Sequence, residues 1–108
     1  MLRPIAFLFV SPGADPQTCY NCFPTDVHEM YIVGCNDIDA ACEKAAELVD
    51  QGIKLLELCG AFGEEGCRKI IKAIDGRIPV GYLTFFPEEQ EKRERWHASL
   101  EKKETTLG

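Results

Sequence analysis

Glu57 and Cys59 are the residues of this chain whose type and surroundings best suit chemistry. Glu57 stands in Lys54-Leu55-Leu56-Glu57-Leu58-Cys59, among side chains that read as core. A carboxylate withdrawn from water must be paired, hydrogen-bonded or protonated. Near the end of a strand, such a group is a candidate general base. The competing reading is an acid that accepts amides from a neighbouring loop, or pairs with a Lys or Arg across an interface. Cys59 precedes a glycine turn and a helix start, a setting that favours the thiolate. A nucleophilic Cys needs a base, and the two histidines, His28 and His97, are not placed by the sequence. Glu57 would fill that role, while a packed thiol is the plainer reading of Cys59. Glu57 and Cys59 are the candidate catalytic residues.

Gly60, Gly63 and Gly66 follow as G-x-x-G-x-x-G. This is neither the dinucleotide pattern G-x-G-x-x-G nor a P-loop, which needs Lys-Ser/Thr after its glycines. Helix-start amides attract anions, but Glu64 and Glu65 already occupy that turn and would repel phosphate. A tight packing turn remains, or a crevice for an uncharged or cationic ligand. Phe62 either stacks on that ligand or plugs the core. A second loop, Ser11-Pro12-Gly13-Ala14-Asp15-Pro16, ends another apolar run. It would meet the Gly60 turn if the two strands are parallel neighbours, because ligands bind beyond the carboxyl ends of such strands. Ser11, Gly13, Asp15, Gly60, Phe62 and Gly63 are therefore the candidate ligand-binding residues. Cys19-x-x-Cys22 has redox or zinc spacing. Structural zinc needs four ligands, and neither a second such pair nor His28 alone completes a site. A thioredoxin-like motif would open a helix, whereas Phe23-Pro24 follows here. No metal site is assigned, and a cofactor is unknown.

The elements that must hold these residues read as follows. Ile5–Val10 is a continuous apolar run, expected as a central strand covered on both faces. Gln17–Asp26 reads equally as a short edge strand or a loop. Val27–Cys35 alternates as a second strand nearer the edge. Asn36 or Asp37 caps a helix whose stripe is Ile38, Ala41, Cys42, Ala45, Leu48 and Val49, ending at Gly52. Ile53–Cys59 is a third strand, Glu64–Ile74 a second helix, and Val80–Phe85 a fourth strand. Two strand–helix–strand crossovers imply parallel pairing. Residues 87–108 are nearly all charged, with Trp96 and Leu100 as the large apolar pair. They predict an exposed helix that docks lightly or covers a subunit, with Glu104–Gly108 disordered.

The chain has 108 residues and is 45% hydrophobic, the size of one domain with a core. Its longest apolar run is far too short for a membrane span, and no cleavage site follows it, so a cytoplasmic protein is expected. Twelve basic against eighteen acidic residues give a net charge of −6, which disfavours nucleic acid. In that compartment the six cysteines are reduced thiols.

Ala6–Pro16, Val33–Gly34 and Glu57–Gly63 together resemble a family of short bacterial and archaeal proteins that is a domain of unknown function. The resemblance runs over about residues 5 to 85 and leaves out the charged tail. It implies a small, oligomeric α/β domain, brings no catalytic residues, and supports treating the two loops as one feature.

The expectation is an α/β domain at 1–86, with a mostly parallel four- to five-stranded sheet and two crossover helices, then a charged helical tail at 87–108. So small a sheet is expected to bury a face in a homo-oligomer, a dimer first of all. The function expected is small polar ligand binding at the strand ends, with Glu57 as acceptor or base. The alternatives are a structural or regulatory assembly module using Phe62, Trp96 and the tail, and a redox or metal protein using Cys19 and Cys22.

Overall fold

A computed structural model describes residues 2–107, with side chains through Leu100. Five strands, β1 (Arg3–Val10), β2 (Tyr20–Pro24), β3 (His28–Cys35), β4 (Leu55–Leu58) and β5 (Val80–Tyr82), form one sheet in the order β2-β3-β1-β4-β5. Three helices, α1 (Ile38–Asp50), α2 (Gly63–Ala73) and α3 (Pro87–Leu107), complete a small single α/β domain. No helix among the described residues is long and apolar enough to cross a membrane.

The sheet is mixed, which corrects the mostly parallel sheet expected. β1 pairs in parallel with β3 and β4, and β4 with β5, whereas β2 runs antiparallel to β3. The reason is the short turn between β2 and β3. Thr25 Oγ1 accepts the amides of Val27 and His28 at 3.2 and 2.8 Å, and Thr25 N donates to His28 O at 2.8 Å. A turn that tight joins only antiparallel strands. The illegible segment is thus an edge strand.

α1 begins where Asp37 Oδ1 accepts the Ala40 amide at 2.8 Å. Its apolar stripe packs on β1 and β3, and α2 packs beside it and against β5. Both helices lie on one face. Each crossover steps the same way along the sheet, from β3 past β1 to β4 and then to β5, and right-handed connections of one direction lie on one side. The β1-to-β3 connection runs the other way and would carry a helix on the opposite side. It carries β2 instead.

The core is therefore one-sided. Ala6, Leu8, Val33, Cys35, Leu56 and Leu58 meet Ala41, Ala45 and Leu48 of α1 and Ile70 of α2. Ile5, Phe7 and Phe9 point to the other face and are only half-buried. The expectation that β1 is covered on both faces fails for that reason. Among the described residues α3 has no more than weak contact with the strands, and the molecule measures 50 × 30 × 30 Å. α3 runs as far as Leu107, through most of the stretch Glu104–Gly108 that is expected to be disordered, and Gly108 lies outside the described residues.

Gly34 of β3 is the tightest point of the uncovered face. A Cβ there would lie 2.5 Å from Phe9 Cζ and 2.7 Å from Cys19 Sγ. Gly34→Ala forces the ring and the thiol apart, an overpacking that costs about 1–3 kcal/mol. Urea denaturation should show that loss as a lower midpoint at unchanged slope.

Candidate functional site

The two loops singled out by the sequence do leave the same edge of the sheet. β1 and β4 are parallel neighbours with Leu8 opposite Leu58, and Cys59 N donates to Leu8 O at 3.0 Å. Beyond the sheet they turn to different partners. Ser11 N donates to Cys35 O at 2.9 Å, and Gly13 N to Asn36 Oδ1 at 2.7 Å, so the first loop is fastened to the start of α1. Asp15 accepts the Gln17 amide at 2.9 Å through its side chain. Its backbone oxygen takes the amides of Thr18 and Cys19. Asp37 caps α1, which leaves Asn36 free for this clamp.

The second loop folds toward the core. Phe62 is buried, so it is a core plug rather than a ligand platform or a subunit contact. Gly63 holds φ at +63°, a left-handed turn that only glycine enters cheaply, and starts α2. No side chain caps that helix start. A Cβ at Gly60 would lie 3.6 Å from Leu83 O and 3.8 Å from Arg93 Nη2. Arg93 in turn lies over the Phe85 ring at 5.7 Å.

Glu57 is exposed, which corrects the buried carboxylate expected from its leucine neighbours. Strand alternation accounts for it. Leu56 and Leu58 face the helices, and Glu57 opposite Phe7 faces the uncovered side. There it lines a cavity of about 230 Å³ with Phe7, Gly81 and Leu83. Cys59 is half-buried. All six cysteines are free thiols. Cys22 pairs with Tyr31 on the helix side of the sheet, whereas Cys19 Sγ sits against Gly34 on the uncovered side. The C-x-x-C is thus split across the sheet. Among the described residues no three His, Cys, Asp or Glu side chains converge as a metal site.

A larger concavity lies elsewhere, beside α1. No helix covers β2 on the helix side, so a groove opens there between α1 and the β2–β3 hairpin. Its cavity of about 470 Å³ has Tyr31 and Val33 as floor, Lys44, Glu47, Leu48 and Gln51 as one wall, and Gln17 and Tyr20 as the other. A second cavity of about 210 Å³ shares Tyr31, Leu48 and Gln51 and extends the groove to Glu29 and Gly52. Tyr31 Oη donates to Glu29 Oε2 at 3.2 Å. Partial burial, then the Glu29 carboxylate, holds the Tyr31 phenol above its ordinary range. Lys44 is 16% exposed at its side chain and reaches Glu47 at 3.4 Å. Gln51 Nε2 donates to the same carboxylate at 3.5 Å.

Sequence reasoning missed this groove. Its signal was present: Tyr31 shares a strand face with Val33 and Cys35, and Lys44 and Gln51 flank Leu48 on the helix. Each residue alone reads as ordinary surface.

Cys35 is buried on the same face of β3 as Tyr31 and Val33. Burial pushes its thiol up to about 11, against a downward pull from Lys44. An unfolded thiol releases its proton near 9 while the folded one keeps it, so folding weakens as pH rises from 9 to 11. Thermal melts across that window should fall for the native chain and fall less steeply for Cys35→Ala.

No curated protein and no solved structure matches the chain. A family model described as Family of unknown function (DUF6506) matches residues 3–98, and so takes in most of α3, beyond the limit near residue 85 that the sequence resemblance set. The chain belongs to that family.

Proposed function

We propose that the protein binds a small polar molecule, and that its seat is the groove between α1 and the β2–β3 hairpin. The observation that carries this is the Lys44 side chain, 16% exposed, on the wall of a cavity of ligand size. A cation at the edge of such a cavity attracts an anion that comes close to it. The Glu47 carboxylate stands at 3.4 Å and is itself mostly solvated, which leaves the ammonium room for a ligand anion. Glu29 and the Tyr31 hydroxyl supply an acceptor and a second polar contact at the far end. Tyr20 and Leu48 supply apolar walls. That set suits a compact molecule bearing one carboxylate and one amine or hydroxyl.

A second reading keeps the ligand at the strand ends, where the sequence suggested a crevice between Ser11–Asp15 and Glu57–Gly63, with only Cys59–Gly63 of that junction taking part. It is favoured by the Arg93 guanidinium above the Gly60 turn and the uncapped start of α2. Glu57, on the uncovered face, has no part in it.

Melting curves with α-amino acids and α-hydroxy acids, each at millimolar concentration, test both. A ligand at a hundredfold its Kd adds about 2.7 kcal/mol, on the order of 10 °C in Tm for a domain this size. We expect at least one member to raise the Tm of the native chain, and Lys44→Met to lose that rise. Loss in Arg93→Gln with retention in Lys44→Met would move the ligand to the strand ends. No shift with any member, and no retained adduct in native mass spectra, would overturn ligand binding.

A further inference from the structure

We infer that the uncovered face of the sheet is an isologous interface with a second copy of this chain, closed by Arg3 of each copy against Glu57 of the other. This rests on the sheet and not on the groove.

The face is largely apolar at its centre, with Asn21 opposite Ile32 and His28 opposite Arg3 as its uncharged polar members. Alternation puts Ile5, Phe7 and Phe9 of β1 on it with Met30 and Ile32 of β3, Leu55 of β4 and Phe23 of β2. Ile32 is 37% exposed and Phe23 51% exposed. At ~4.8 Å between strands and ~3.3 Å per residue, the face is about 20 Å across and about 26 Å along its longest strands. That is at the upper end of the apolar patches that monomers expose, and on the order of the ~800 Å² each partner buries in a standard interface. Among the described residues, α3 has no more than weak contact with any strand.

Charge selects the occupant. The face carries two ionic side chains, Arg3 at the first row of β1 and Glu57 opposite Phe7. Both are exposed, and neither makes an ion pair among the described residues. Arg3 and Phe7 are four residues apart, about 13 Å along the strand. The midpoint is the row where Ile5 pairs with Leu55. A two-fold axis between two such faces, running across the strands at that row, exchanges the rows of Arg3 and Glu57, so that Arg3 of one copy lies over Phe7 of the other, one strand (~4.8 Å) from its Glu57 and within reach of an arginine side chain. Each copy then offers its cation to the other's carboxylate, with Ile5, Leu55 and Phe7 packed between. Such self-complementarity is what a two-fold interface requires. A partner of another kind would need an opposite pair at the same spacing.

Sedimentation equilibrium of the full chain tests this. We expect a mass of twice 12.1 kDa at tens of micromolar, ~10 µM or more. Arg3→Glu alone and Glu57→Arg alone each place like charges together and should weaken the dimer at least about tenfold. The double reversal restores opposite pairs and should restore the dimer. Both sites are exposed, so the fold stays intact. Ile32→Lys, which places a charge within the apolar face, should weaken association as well. A native chain that remains single at about 100 µM would overturn the proposal. So would a dimer indifferent to either reversal, or a double reversal no tighter than the single ones.

Discussion

The handedness of strand–helix–strand connections governs this molecule. Both crossovers step in one direction, so both helices must lie on one side of the sheet. Every other feature of the fold accommodates that. The apolar residues of β1, β3 and β4 that face α1 and α2 form the core, and those that face away are left half-buried. The connection from β1 to β3, which would restore symmetry, is spent on the β2 hairpin. β2 widens the sheet and leaves its other side bare.

The same constraint makes both concavities. Two helices over five strands cannot span the sheet's width, and they crowd toward β1, β3 and β5. Over β2 the helix side is open, and Tyr31, Lys44 and Gln51 line the gap. On the opposite side, Glu57 finds water because nothing lies above it. A cation beside a groove and an acid on an apolar face are thus two results of one shortage of helix.

Much of the fold was legible from residue patterns. The capped stripe of α1 and the apolar runs of β1, β3 and β4 identify themselves. β2 does not, because Tyr20–Pro24 shows no clean alternation, and its pairing comes from the Thr25 turn. Glu57 misled for a different reason. A single polar residue among leucines looks buried when the strand is taken to be covered twice. Period-two alternation was there to be used, but which side lacks cover is a property of topology. The strand-end loops were rightly paired as neighbours, yet Asn36 fastens one and Arg93 overhangs the other. Lys44 was invisible as a site residue, since a lysine on a helix ordinarily keeps its ammonium in water.

The division of Cys19 and Cys22 between the two sides of the hairpin bears on how this chain meets an oxidant. Sulfurs with a sheet between them cannot bridge while β2 stays seated. A bond joining them would therefore record that the edge strand had first peeled away, and would keep it from returning. The pair works as a tell-tale for local opening, silent for as long as the hairpin holds.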